Sequence, residues 1–208
     1  MSTKGFNQSV PAEIAVALEL QKIVAEKEYN KLTCILNKIE VKNDGVLDVE
    51  ECKQEGMGAE SYLTITFTDG SVVKSDIDEF WDNISTEESA MGMWQVFLLK
   101  NLRTYLPLFW HSNYDKRDYI YTQKQMTIIN TKPAIGDKPI ENLDYSRYDV
   151  APRIELRGDR YVISACYWSD FEGLIRQEMQ LAKNVIGEIV FLNEKIIPLF
   201  PYNCGILF

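Results

Sequence analysis

Apolar residues at Val16, Leu20, Ile23 and Val24 recur along one face at a 3.6-residue period, which predicts a helix over residues 12–29. Ser9 and Pro11 mark its start. A second helix is predicted from Glu87 to Leu106, opened by the capping pattern Ser85-Thr86-Glu87-Glu88 and closed by Pro107. Its apolar residues, among them Met91, Trp94, Val96, Phe97, Leu98, Leu99 and Leu102, lie on almost every side, so it belongs at the centre of the core. Residues 170–183 fit both periods. Phe171, Leu174, Ile175, Met179 and Ala182 would make a helix face, whereas Ile175, Gln177, Met179 and Leu181 would line one face of a strand. The Ser169 and Glu172 spacing of a capping box tips the reading to helix.

Strand-like runs fill most of the rest. Residues 31–42 and 46–52 flank Asn43-Asp44-Gly45, and residues 62–68 and 72–75 flank Asp69-Gly70; both carry the Asp-Gly signal of a tight antiparallel turn. Tyr119 to Asn130 alternates as a strand. The stretch 131–152, with Pro133, Gly136, Pro139 and Pro152, reads as a long irregular connection. Arg153–Arg157 and Arg160–Trp168 form a hairpin about Gly158-Asp159, and residues 185–192 and 195–200 another about Asn193-Glu194. Without βαβ alternation or internal repeats, the pattern predicts an α+β fold. Its antiparallel sheets are built from several hairpins, with an N-terminal helix and a central buried helix, in a single globular domain over residues 1–208.

With 208 residues and 46% hydrophobic content, the chain has ample material for such a core. The most apolar window, Met91–Trp110, contains Lys100 and Arg103, and the opening residues lack a basic start followed by an apolar run; neither a membrane association nor export is expected. Cys34, Cys52, Cys166 and Cys204 form no CxxC pair, which fits reduced thiols in a cytoplasmic protein. Two glycosylation sequons, at Asn7 and Asn83, carry meaning only on export. Dinucleotide, phosphate-loop, zinc-protease and esterase motifs are all missing, so no cofactor and no catalytic residue is assigned. Nucleic acid is not an expected partner, because the net charge is −9 and the lysines and arginines are dispersed.

Residues Glu40 to Glu51 resemble part of an EF-hand calcium loop, with Gly45, Asp48 and Glu51 at its sixth, ninth and twelfth positions. Glu40 at the first position and the cation of Lys42 at the third oppose metal binding, so a plain turn explains the same letters and no metal is assigned. His111, the one histidine, is the only imidazole base for a nucleophile such as Cys166. Nothing in the spacing brings the two together. Arg157-Gly158-Asp159 spells an adhesion tripeptide but reads as a turn. Tyr105, Phe109, Trp110, Tyr114, Tyr119 and Tyr121 would line a ligand pocket or fill the core.

Charge is distributed unevenly. Residues 40–88 carry 14 acidic side chains against 3 lysines, while the remainder carries 17 acidic and 19 basic. All of the net negative charge therefore belongs to that one span. Within it, Asp76, Asp78, Glu79, Phe80, Trp81 and Asp82 combine carboxylates with large apolar groups, the composition of a surface that docks a basic protein partner. The leading expectation is a non-enzymatic interaction domain that masks such a partner, as a bacterial toxin-immunity protein would. The alternative is a small-molecule-binding domain or enzyme built around the aromatic cluster.

Overall fold

The computed structural model describes residues 11–54, 58–75, 77, 79–102, 117–131, 140 and 143–203. In chain order the elements are α1 (Ala12–Glu26), α2 (Leu32–Ile35), β1 (Ile39–Val41), β2 (Val46–Gln54), β3 (Gly58–Thr66) and β4 (Val72–Lys74). There follow α3 (Glu79–Asp82), β5 (Ile84–Thr86), α4 (Ala90–Leu102), β6 (Asp118–Ile120), α5 (Gln123–Thr131), β7 (Arg153–Arg157), β8 (Arg160–Ser169), β9 (Gly173–Lys183) and β10 (Ile189–Pro201). The fold is α+β with antiparallel sheets, as the pattern predicts. No helix among the described residues is long and apolar enough to cross a membrane.

Helix α4 organises the core. Met93, Trp94, Val96, Phe97, Leu98, Leu99 and Leu102 are all fully buried. They pack against α1 on one side and against the main sheet on the other, and the Trp94 indole N–H donates to the Glu13 carbonyl at 2.8 Å. The helix starts later than its sequence signal because Ser85 and Thr86 belong to β5. Ser89 caps it instead, its hydroxyl accepting from the Gly92 amide at 3.0 Å.

The main sheet has the order β10-β9-β8, and β6 and β7 lie end to end along the outer edge of β8. Strand alternation gives β8 two buried faces. Tyr161, Ile163, Ala165 and Tyr167 join the core of α1 and α4. Cys166 and Trp168, on the opposite face, pack with Ile120, Met126, Leu143, Val150, Leu174 and Tyr202 in a second cluster. A smaller sheet, β2-β3-β4, and the β1–β5 ribbon complete the arrangement.

Several expectations are corrected. The segment before Asn43-Asp44-Gly45 does not pair with β2. Residues 32–35 are helical, and β1 pairs with β5 in the register Ile39↔Thr86, Glu40↔Ser85, Val41↔Ile84. The cause is local, because Asn43 and Asp44 adopt left-handed φ angles of 57° and 55° in a 3-10 turn and steer the chain away from a tight hairpin. Tyr119–Asn130 is not one strand. After β6 it forms α5, whose start is a capping box in which Gln125 Oε1 accepts from the Tyr121 and Thr122 amides at 2.8 and 3.2 Å.

Residues 173–183 form a strand, against the expected helix. Gly173, at φ +88°, turns the chain back along β8, and the Ser169 hydroxyl serves that turn by accepting from the Phe171 amide at 3.3 Å. The last hairpin turns at Asn184–Glu188, not at Asn193-Glu194. There β10 continues through a bulge between Phe191 and Asn193, and Glu194 pairs with Met179. The β3–β4 and β7–β8 hairpins form where expected.

Candidate functional site

The acidic span divides between two parts of the fold that the β1–β5 ladder joins. Glu40 stands opposite Ser85, and the Lys42 amide donates to the Asn83 carbonyl at 2.9 Å. The turn carrying Asp44 therefore abuts the end of α3. Gly45 draws this turn onto the small sheet, for a Cβ there would lie 2.7 Å from Ile65 Cγ2 and 3.1 Å from Phe67. Glu40, Asp44, Asp48, Glu79, Asp82, Glu87 and Glu88 are exposed.

Helix α3 is a single turn, held by backbone bonds from Phe80 to Ile77 and from Asn83 to Phe80, both 3.2 Å, and by the Asn83 amide side chain donating to the Glu79 carbonyl at 2.8 Å. It separates its two aromatic residues. Phe80 is 0% exposed and belongs to the core, whereas Trp81 is half-buried. Trp81 lies edge-on to Phe191 with ring centroids 4.8 Å apart, and the Lys100 ammonium sits 4.4 Å from the Phe191 centroid and 5.7 Å from that of Trp81. Ile77, one turn before Trp81, is 45% exposed. Asp76 and Asp78 lie outside the described residues.

Lysines temper the negative charge in places. Lys38 bonds Glu87 at 3.1 Å and Lys74 bonds Glu50 at 2.8 Å, both in solvent, where such pairs contribute little. The Ser89 hydroxyl and then Lys38 hold the Glu87 carboxyl below the usual carboxylate range. Hydrogen bonds from the Ser71 hydroxyl and amide do the same for Asp69, in the β3–β4 turn. These carboxylates stay ionised at neutral pH.

The aromatic cluster is differently placed. Tyr119 and Tyr121 are buried and stacked at 6.2 Å. The Tyr119 hydroxyl donates to Gln177 Oε1 at 2.5 Å, and the Gln177 amide donates to Asn101 Oδ1 at 3.2 Å and to Glu194 at 2.7 Å. Arg117 lies over the Tyr167 ring at 5.0 Å. Burial pushes the Tyr119 hydroxyl far above the usual range and that of Tyr167 up to about 12. Phenols so shifted remain protonated at neutral pH, which suits hydrogen bonding inside the fold and not proton abstraction. The sequence reading missed this network. Its signal was Gln177, a polar residue alternating with Ile175, Met179 and Leu181 at strand spacing.

Tyr105, Phe109, Trp110, His111 and Tyr114 lie outside the described residues. Cys166 is buried, and that burial raises its thiol despite the neighbouring Arg176, so it is a poor nucleophile at neutral pH. Within the calcium-loop resemblance, Gly45 is extended at φ −69°, Glu40 belongs to β1, and Asp48 and Glu51 belong to β2. Among the described residues no three His, Cys, Asp or Glu side chains form a group that could hold a metal ion. A cavity of about 310 Å³ opens between the start of α1 and β7, lined by Pro11, Ile14, Pro152 and Ile154 with Glu13 at its side. No protein-family model matches the chain, and neither a curated protein nor a solved structure is significantly similar to it.

Proposed function

We propose that this chain is a non-enzymatic, cytoplasmic interaction domain that binds and masks a basic protein partner. The observation that carries the reading is the β1–β5 ladder. It pairs residues 39–41 with 84–86, so the acidic stretches around Glu40 and Asp44 and around Glu79 and Asp82 are neighbours though separate in sequence, and half-buried Trp81 and exposed Ile77 belong to the second of them. Clustered carboxylates create a field that speeds encounter with a cationic surface, and apolar groups beside them supply the contact that slows its release. Asp76, Asp78, Glu79, Trp81 and Asp82 are the proposed contact residues. Phe80 supports them from the core.

One concrete form is an immunity protein that covers the positively charged active surface of a bacterial toxin. Such a role requires surface complementarity and no catalytic group. Mass spectrometry of the complex isolated from the native host identifies the partner. Stopped-flow association with that partner then tests the acidic surface: Asp78→Lys, Glu79→Lys and Asp82→Lys together slow association and flatten its dependence on salt. Unchanged rates refute the reading.

A further inference from the structure

The small sheet β2-β3-β4 turns one face to the core and the other to water. Its register is Val46↔Thr66↔Val72 at one end, and directly opposed residues share a face, so these three side chains form one row across the sheet. The next row, Leu47, Ile65 and Val73, points the other way: Leu47 and Ile65 are buried, and Val73 packs against the core. On the outer face Val46 is 58% exposed and Val72 is 49% exposed, with Thr66 exposed between them, and neither valine belongs to a core cluster. Strand propensity alone does not call for the valines, because threonine forms strands as well and fills this same face at Thr64 and Thr66. The two ladders hold the stripe in place, which lowers the ordering cost of binding through it.

The charges around this stripe point to its occupant. Asp48 follows Val46 on the same face, in the row Asp48↔Thr64↔Lys74. Asp44 lies in the turn that leads into Val46, and Asp69 in the turn that joins β3 to β4. The two turns adjoin, because a Cβ on Gly45 would lie 3.1 Å from Phe67 Cε1. Asp44, Asp48 and Asp69 are all exposed, and none has an ion-pair partner among the described residues. Two cations stand nearby. Lys74 is committed to Glu50 at 2.8 Å and lies 5.1 Å from the Tyr62 ring centroid, and Lys42 opens the turn that carries Asp44. Three unpaired aspartates against Lys42 leave the setting of the stripe negative.

We infer that the outer face of β2-β3-β4 is part of the acidic docking surface, with Val46 and Val72 as its apolar contact, and that its occupant is a basic protein partner whose aliphatic side chains stand among lysines or arginines. This inference rests on the acidic-surface reading and extends it from α3, which the turn carrying Asp44 abuts, onto the small sheet. A second copy of this chain is a poor occupant, because it would bring the same aspartates against themselves.

Two synthetic peptides of equal length and charge separate the claims: lysines spaced by serine, and lysines spaced by leucine. Calorimetric titration of the full chain should give an affinity for the leucine-spaced peptide about tenfold above that for the serine-spaced one, as expected for further burial of two half-exposed valines. The double variant Val46→Thr, Val72→Thr should lose this preference and keep its affinity for the serine-spaced peptide. Threonine matches valine in shape and strand propensity, so the variant should melt with the parent. Asp44→Asn with Asp48→Asn should weaken both peptides alike. Methyl resonances of the parent give a second readout that needs no variant: those of Val46 and Val72 should shift with the leucine-spaced peptide, while those of exposed Leu156 on β7 stay in place. A leucine preference that is absent from the parent, or that survives in the double variant, overturns the inference while leaving the acidic surface standing, as do unmoved Val46 and Val72 methyls. Failure of the parent to bind either peptide overturns the acidic surface itself. Self-association of the parent by sedimentation, abolished in the double variant, reassigns the face to a second copy and also overturns the inference.

Discussion

The end of β10 packs over one glycine, whose replacement separates two costs that are usually confounded. Gly173 has φ +88°, and a Cβ built there would lie 2.1 Å from the Phe200 carbonyl oxygen and 2.6 Å from the Tyr202 amide nitrogen. Gly70, in the β3–β4 turn, has nearly the same φ of +85° but nothing within 4 Å of its Cβ position. Alanine at either site incurs about 1–2 kcal/mol for the left-handed conformation, offset by about 0.4–1 kcal/mol from the stiffer unfolded chain. Gly70→Ala should therefore destabilise by about 1 kcal/mol. Gly173→Ala must in addition push the end of β10 away from β9, loosening the contact of Tyr202 with Trp168, whose rings are 5.2 Å apart. Overpacking of this kind adds about 1–3 kcal/mol, for a total near 3 kcal/mol. Urea unfolding followed by tryptophan fluorescence measures both differences. Equal destabilisation by the two variants would mean that β10 does not approach Gly173 as closely as described, and the reasoning would fail.

The buried phenols predict a loss of stability in alkali. In an unfolded chain tyrosine loses its proton near pH 10, whereas Tyr167 in the fold does so at about 12 and burial holds the Tyr119 hydroxyl well above the usual range. The unfolded state therefore gives up these protons first, and stability is intact below pH 10 and falls as pH rises from there towards 12. Absorbance at the phenolate band should show the two titrating late and together with unfolding; a single titration of all 11 tyrosines near pH 10 contradicts the burial. Cysteine chemistry gives an independent check. Exposed Cys34 should alkylate readily in the native protein while buried Cys166 is protected until unfolding, as read by peptide mass mapping. Equal labelling of the two would contradict the second core cluster.

The legible parts of the sequence were those where local chemistry and tertiary packing agree. Asp69-Gly70 and Gly158-Asp159 supply positive φ where the β3–β4 and β7–β8 hairpins need it, and the apolar surface of α4 leaves it no place but the core. Elsewhere the same letters served another purpose. Asn43 and Asp44 take the left-handed angles that an Asp-Gly hairpin would give to its glycine, freeing Gly45 for close packing against Ile65. Ser169 and Glu172 have capping-box spacing, yet Gly173 bends the chain and commits Ile175, Gln177, Met179 and Leu181 to one face of β9. For α5 the capping residues Thr122 and Gln125 were present, but the β-branched residues after them resemble a strand.

The candidate site was legible as charge and not as geometry. Counting carboxylates locates the acidic span, but pairing of β1 with β5 is a non-local event that no local motif announces. The different fates of Phe80 and Trp81 follow from the direction of one helical turn.

Nuclear magnetic resonance of the full chain, titrated at low ionic strength with a synthetic peptide of lysines spaced by serine, tests the acidic surface most directly. The account predicts amide shift changes concentrated in residues 40–48 and 77–88 that vanish as salt is raised. Changes spread evenly over α1, the β7–β8 hairpin and β10, or none at all, would contradict it.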